Sequence, residues 1–390
     1  MECKFLQHGL AISYDNITKP CCSFKYDPKN SVSAYDTDLA TYHTSDYVKS
    51  LSTQLENGIW PTECNSCKVK EQLGKSSMRE MGNRAYKNYD ATDITLEIRP
   101  GNVCNFACQT CWPAASSRVT SFYQQAGFDV ITPNRSTLTN LGISINNTAN
   151  IVDYKFLDSI KDRIKDVVIL GGEPFYDKSC LAFLDWAIKN LSANLTLFTN
   201  TSIIREDIIS AYPGTLTIVS SLDAVGKPAE YIRFGTEWEI VEKNFNQLKT
   251  FKNVKNRVNI TSSAYNFYYI SDVIEFLLED WPEVVSFGSA SEEKFKESVI
   301  PLHMREDIIT RLQSVIPKIE TANIVLHQKQ NAVMNIESII KNLQENPYNE
   351  EQHLVLKQFS KKLDTVKRIN SAEYGDYLKE LLNDYEPTTL

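Results

Sequence analysis

Eight of the nine cysteines in this 390-residue chain lie within its first 111 residues. They are Cys3, Cys21, Cys22, Cys64, Cys67, Cys104, Cys108 and Cys111; Cys180 stands alone, and no cysteine follows it. Such clustering suits thiolate coordination, because ligands must converge on one small volume. The first residues, Met1-Glu2-Cys3-Lys4-Phe5-Leu6-Gln7-His8, do not form the basic segment and apolar run of a signal peptide. A cytoplasmic location is therefore expected, with the cysteines read as reduced thiols open to metals or catalysis rather than as disulfides.

Composition narrows the class. Hydrophobic residues are 42% and charged residues 23% of the chain, which excludes wholesale disorder, collagen and coiled coil. The length suggests two or three domains, or one large α/β barrel with appendages. No run approaches the roughly 20 apolar residues needed to span a bilayer, so no membrane partner is expected. With 49 acidic against 41 basic residues the net charge is −8, which does not favour nonspecific binding to nucleic acid.

Along the chain, residues 1–92 read as a small cysteine-rich module with a linking helix. Leu10–Tyr14 and Ile17–Lys19 are strand candidates joined by an Asp15-Asn16 turn, and Pro20-Cys21-Cys22 follows. A helix is expected from Ser45 to Glu56, with Tyr47, Val48, Leu51 and Leu55 at helical spacing, stopped by Asn57-Gly58. The segment looks too poor in apolar sequence for a large core, so a metal staple is expected. Residues 93–300 alternate apolar strands with helices. The strand candidates are Ile94–Ile98, Val167–Leu170, Leu195–Thr199, Leu216–Ser220, Val258–Thr261 and Val284–Phe287; Cys180–Asn190 and Trp238–Phe251 are among the helices. That alternation implies a parallel α/β sheet, open or partly closed. A polar, Asn/Ser/Thr-rich stretch at about 127–150 reads as a surface insertion, and 301–390 as a charged helical region.

The sharpest motif is Cys104-Asn105-Phe106-Ala107-Cys108-Gln109-Thr110-Cys111. Its spacing lets one short loop wrap three thiolates around an iron–sulfur cube and leaves the fourth iron open, whereas electron-transfer clusters usually take four cysteines. The loop follows a strand end, where parallel α/β folds place their active sites. Cys64-x-x-Cys67 with Cys108-x-x-Cys111 would also suit structural zinc, but zinc leaves Cys104 without a purpose. Leu170-Gly171-Gly172-Glu173-Pro174 then ends another apolar strand, sixty residues after Cys111. Two glycines there permit close backbone approach to a ligand, and a carboxylate can accept hydrogen bonds from an ammonium group.

Together these motifs resemble the radical S-adenosylmethionine (SAM) superfamily over about residues 93–290. The resemblance implies a partial (β/α)6 TIM barrel, with Cys104, Cys108 and Cys111 holding a catalytic [4Fe-4S] cluster. Gly171, Gly172 and Glu173 would contact the amino group of SAM, making Glu173 and the three cysteines the catalytic set. Phe198-Thr199-Asn200-Thr201 and Ser220-Ser221-Leu222-Asp223 resemble later strand ends, with Asn200, Ser221 and Asp223 near SAM or substrate; the alternative is that they cap the next helices. Arg233 stands where related enzymes bind the methionine carboxylate; a surface salt bridge is its alternative. The residue before the third cysteine is usually aromatic in the family but is Thr110 here, leaving Phe106 or Trp112 to cover the cluster.

Cys3, Cys21, Cys64 and Cys67, with the matching Glu71, Gly74, Ser76, Arg79 and Asn83, resemble the N-terminal-twitch radical SAM subfamily. That resemblance implies a second, auxiliary [4Fe-4S] cluster on those four cysteines, with Cys21 preferred to Cys22 by its position after Pro20. In the family mechanism a reduced cluster passes one electron into SAM, releasing methionine and a 5′-deoxyadenosyl radical that abstracts hydrogen. A peptide or protein side chain is the favoured substrate, a nucleotide or other small molecule the runner-up, and flavodoxin or ferredoxin the type of electron donor. The rival from another class is a non-catalytic metal-binding interaction protein on the same fold. Cys180, among Leu181, Phe183, Leu184 and Trp186, reads as a buried small hydrophobe.

Overall fold

The computed structural model describes residues 1–12, 17–25, 32–33, 39–72, 74, 76–130 and 152–383. The expected Asp15-Asn16 turn and positions 131–150 of the expected insertion lie outside the described residues. The elements begin with α1 (Lys4–His8), β1 (Gly9–Ile12), β2 (Ile17–Lys19), β3 (Val32–Ser33), α2 (Asp46–Glu56), α3 (Asn65–Gln72) and α4 (Met78–Ala85). An alternating stretch follows: β4 (Ile94–Ile98), α5 (Ser117–Gln125), α6 (Tyr154–Ile160), β5 (Ile164–Ile169), α7 (Lys178–Asn190), β6 (Asn194–Thr199), α8 (Glu206–Ala211), β7 (Leu216–Ser221), α9 (Gly226–Ile232), α10 (Trp238–Leu248), β8 (Val254–Ser262), α11 (Ile270–Leu278) and β9 (Val284–Ser289). The C-terminal elements are α12 (Leu302–Thr321), α13 (Leu326–Glu345), α14 (Glu350–Lys367) and α15 (Asp376–Leu382). Every strand expected between residues 94 and 287 is present, within a few residues at each end.

Local chemistry explains the boundaries. Ser45 caps α2 by accepting from the amide of Val48, and Val48, Leu51 and Leu55 form its buried stripe. Asp177 caps α7 in the same way, accepting from Ser179. The buried residues of α7, Cys180, Phe183, Leu184 and Ala187, recur at helical period, so Cys180 is the small buried hydrophobe expected. The helix expected to reach Phe251 stops at Leu248.

Two compact units divide the chain: Met1–Val103, Ile131–Leu197 and Arg205–Thr217 form the first; Cys104–Val130, Phe198–Ile204 and Ile218–Leu390 form the second. In the first unit the strand order is β3-β2-β1-β4-β5-β6. The β1–β2 and β2–β3 pairs are antiparallel. β1 instead lies parallel to β4, with Gly9 opposite Thr95 and Ile12 opposite Ile98, and the β4–β5 and β5–β6 pairs are also parallel.

The N-terminal segment is expected to build no large core of its own; the parallel pairing joins it to a larger sheet. Leu10, Ile17, Leu51 and Leu55 are each buried, as are Leu96 of β4 and Val167 of β5. The hairpin needs no large core of its own, because it extends a sheet whose core already exists.

In the second unit β8 is parallel to β9, from Arg257 opposite Val284 to Ser262 opposite Ser289. The C-terminal helices pack into the same core: Ile308, Leu312, Ile336, Leu356, Leu363 and Leu378 join Val258, Ile260 and Phe245. Among the described residues no helix is long and apolar enough to cross a membrane.

Candidate functional site

The Cys104–Cys111 loop lies in the second unit and is held through its backbone. The amide of Ala107 donates to Phe234 O at 2.8 Å and that of Gln109 to Ile232 O at 2.8 Å. These carbonyls follow from the end of α9, so the loop is laced to that turn. Ser116 Oγ donates to Phe106 O, Arg118 donates to Asn105 O, and Asn105 Nδ2 donates to Ser202 Oγ at 2.9 Å. Phe106 is buried, whereas Trp112 is 47% exposed, so of the two aromatic residues only Phe106 belongs to the core beneath the loop.

The three thiols share one electrostatic environment. Burial raises the Cys111 thiol well above its usual value, and the neighbouring Cys108 and Cys104 raise it further. Burial also raises Cys108, while the Arg233 guanidinium pulls the other way. Buried thiols resist ionisation unless a positive centre meets them, so this donor set fits an iron–sulfur cluster.

Arg233 and Asp223 form an ion pair at 2.7 Å, with side chains 14% and 2% exposed, so this salt bridge is largely buried rather than on the surface. Asp223 Oδ1 accepts from the amide of Thr261 at 2.7 Å. Asn200 Nδ2 lies 3.9 Å from Cys104 Sγ and donates to Asn105 Oδ1 at 2.8 Å, and its Oδ1 accepts from the amide of Ser202. Ser221 is the half-buried last residue of β7. None of these residues caps the next helix: α8 follows Arg205 and α9 follows Val225, neither with a side-chain cap. Arg233 Nε is buried without a hydrogen-bond partner, a donor that suits an anionic ligand group.

The Gly-Gly-Glu turn lies in the first unit. Gly171 and Gly172 have φ of +85° and +56°, where other residues are strained. A Cβ on Gly172 would lie 2.7 Å from Val103 O, so this glycine is required by the protein's own backbone, a reason the motif did not reveal. Glu173 donates its amide to Val103 O at 2.9 Å, and its carboxylate accepts from Phe175 N at 3.3 Å. Its side chain is buried. Asp177 Oδ2 accepts from Val103 N at 2.7 Å, so the turn grips the residue that immediately precedes Cys104 in sequence.

Also in the first unit, Cys3, Cys21, Cys64 and Cys67 line a recess of about 380 Å³ of atom-free space, partly open to solvent, with Trp60, Phe24 and Arg79. Burial raises Cys3 and lifts Cys64 to about 12, and burial with Cys22, Cys3 and Cys67 raises Cys21. Cys22 does not line the recess; burial and the Glu97 carboxylate push it up to about 12. Among the described residues no three His, Cys, Asp or Glu side chains converge on a single-ion site. The four cysteines line one recess, so together they offer four thiols to a single bound group.

The partner residues of the N-terminal motif anchor one wall of this recess. Arg79 binds Glu71 through two bonds, Nε to Oε1 at 2.9 Å and a terminal nitrogen to Oε2 at 2.6 Å. It also donates to Glu2 O at 2.8 Å. Asn83 donates to Glu2 O at 2.9 Å and accepts from the Lys4 amide at 2.8 Å. Both bonds bracket Cys3, so Glu71, Arg79 and Asn83 hold that cysteine in place.

Sequence reasoning missed Lys367, at the end of α14. Its Nζ donates to Ala107 O and Gln109 Oε1, both at 3.0 Å. Burial draws its pKa down to about 8, against the opposing pull of Asp364, Cys108 and Cys111. Burial pushes Asp364 up to about 6, while a hydrogen bond from Tyr231 acts against that rise. Nothing near Lys367 in sequence marks it, because its partners lie more than 250 residues away.

No protein-family model and no curated protein matches the sequence. Similar solved structures include native anSMEcpe with bound AdoMet, at 18% identity over 57% of this chain and 61% of that chain, with a TM-score of 0.38. Streptococcus suis SuiB bound to S-adenosylmethionine is 15% identical over 81% of this chain and 70% of that one, TM-score 0.36. TYW1 with a lysine-pyruvate adduct bound is 16% identical over 70% and 89%, TM-score 0.35. The chain thus spans about three-fifths of the length of the first of these structures.

Proposed function

We propose that this chain is a radical SAM enzyme with an auxiliary cluster in its N-terminal recess. The observation that carries the reading is the set of three half-buried thiols on one eight-residue loop, Cys104, Cys108 and Cys111, facing the largely buried Arg233–Asp223 pair. Cys104, Cys108 and Cys111 would hold a [4Fe-4S] cluster, which would supply the one-electron reduction that splits the C5′–S bond of SAM into methionine and a hydrogen-abstracting 5′-deoxyadenosyl radical. A low-potential carrier of the flavodoxin or ferredoxin type supplies that electron.

The chain's own residues do the positioning. Arg233, oriented by Asp223 and with Nε unpartnered, is suited to a carboxylate. Asn200, Ser221 and Asp223 are assigned to the adenosine portion or the substrate side. Glu173, with Gly171 and Gly172, is assigned by its motif to the methionine ammonium. The recess of Cys3, Cys21, Cys64 and Cys67 offers four thiols, so a cluster held there has no open iron and suits electron transfer. Residues 1–92 are read as the twitch-like module, 93–300 as a partial (β/α)6 barrel and 301–390 as its helical extension. A peptide or protein side chain is the substrate class proposed, in a reducing compartment that leaves the cysteines unpaired by disulfides and open to iron.

Anaerobic reconstitution with iron and sulfide, followed by reduction with dithionite in the presence of SAM, tests the reading. About eight irons per chain and release of 5′-deoxyadenosine are expected. Stoichiometric zinc without iron, and no 5′-deoxyadenosine, would overturn it in favour of a metal-binding interaction protein.

A further inference from the structure

The second unit places a buried ammonium and a half-buried carboxylate, both from α14, under the cysteine loop. Lys367 is the last residue of α14 and only 8% exposed. Arg368, in left-handed backbone at φ +58°, ends the helix there. A cation at a helix C-terminus is favoured by the helix dipole. The ammonium donates to Ala107 O and to Gln109 Oε1, the residues on either side of Cys108. It also lies 5.1 Å from the centre of the Phe234 ring. Asp364 sits one turn earlier on the same helix, and its Oδ2 accepts from Tyr231 Oη at 3.1 Å. Tyr231 belongs to α9, the helix whose end holds the loop's amides. The loop is thus gripped from one side by carbonyls of the α9 end and from another by an ammonium of α14.

We infer that Lys367, with Asp364 as its counter-charge, sets the reduction potential of the cluster proposed on Cys104, Cys108 and Cys111. The inference rests on that cluster assignment. Lys367 is a positioning residue: it touches the loop's backbone carbonyl and the Gln109 side chain, not the reacting atoms. Its physical basis is simple. Adding one electron adds one negative charge to an assembly already ringed by thiolates. A buried ammonium stabilises the reduced state more than the oxidised one, because charges interact strongly where water is excluded. Nearby charge, hydrogen bonding and exposure are the levers by which a protein tunes such a centre. Asp364 opposes the effect with the other sign.

The test uses full-length, reconstituted protein and a redox titration followed by electron paramagnetic resonance. The signal belonging to this cluster is identified by its loss in the Cys104→Ala, Cys108→Ala, Cys111→Ala triple variant. If that variant loses no signal, the cluster assignment itself fails. With the signal assigned, Lys367→Met should lower its midpoint potential and Asp364→Asn should raise it. A tenfold change in the reduction equilibrium is expected for each, about 59 mV for one electron. Shifts of opposite sign support the inference; unchanged potentials, or shifts of the same sign, overturn it. Should Lys367→Met fail to retain iron, Asp364→Asn decides alone: a rise supports the inference and an unmoved potential overturns it.

Discussion

The loop of the second unit takes three thiols from eight consecutive residues, Cys104–Cys111, while the recess of the first gathers four from Cys3, Cys21, Cys64 and Cys67, spread over 65 residues. In the loop, the spacing of the cysteines sets most of the geometry, and the surroundings only hold it in place. Its anchors are backbone bonds to Ile232 and Phe234. The recess has no such economy. Cys3 is positioned by Arg79, Glu71 and Asn83, and Cys21 follows β2, a strand held in place by β1. Ligand sets closed by local sequence tolerate damage to their surroundings better than sets closed by tertiary contacts. The two cluster sites proposed for this chain would offer one case each.

The largest effect should come from the loop. Cys108→Ala is expected to reduce 5′-deoxyadenosine formation to the level without enzyme, since two thiolates do not retain the cube. The recess should be untouched, so about four irons per chain should remain, as for one cysteine-held cube. Iron and sulfide analysis of the reconstituted variant checks this, and formation of 5′-deoxyadenosine at the parent rate would sink the loop assignment.

Next in size is the reciprocal test. Adding Cys64→Ala to the triple variant of Cys104, Cys108 and Cys111 should remove the remaining iron and make the segment around α2 and α3 sensitive to limited proteolysis. Because β1 is paired with β4, the strand itself should resist cleavage longer than the segment from α2 to α3. An iron-free triple variant with a protected N-terminus would remove the auxiliary cluster from the picture.

Arg79→Ala sharpens the contrast between the two designs. It breaks the bidentate contact with Glu71 and one tie to Glu2. Residues that orient a metal ligand typically matter by about 10–100-fold in affinity. Loss of iron to a chelator should therefore accelerate by that order for the recess, with the loop's signal unchanged. Equal acceleration at both places would mean that Arg79 acts on general stability.

Glu173→Gln preserves shape but removes the charge assigned to the methionine ammonium. Hydrogen bonds to charged groups contribute roughly 1.5–3 kcal/mol, so SAM affinity measured by calorimetry should fall about tenfold or more. Unchanged affinity would count against Glu173 at that position. The smallest effect separates the adjacent cysteines: Cys22→Ala should leave iron content as it was, because Cys22 lies beside Glu97 and Arg99, whereas Cys21→Ala should lose the recess iron.

Much of the molecule is legible from sequence because its signals are local. Six apolar strands, the α2 and α7 helices and the three-cysteine loop are each written within a dozen residues. Burial of Cys180 follows from its helical neighbours Phe183 and Leu184. The parallel pairing of β1 with β4 is not legible, since Gly9 and Thr95 are 86 residues apart and nothing in either strand names the other. Nor is the reason for Gly172, which answers to the Val103 carbonyl.

The sequence by itself therefore nominated the residues proposed to carry the chemistry: the thiols, the Gly-Gly-Glu turn, and Arg233, which follows α9. Their types and spacing encode what they can bind. Tertiary structure decided which of them meet and what surrounds them. It separated Cys21 from Cys22, paired Arg233 with Asp223 in a buried bridge, and brought Lys367 under a loop 258 residues away from it. The physical reason is range. Backbone propensity and coordination spacing act over a few residues, whereas burial and charge pairing depend on distances in space that only the packed chain defines.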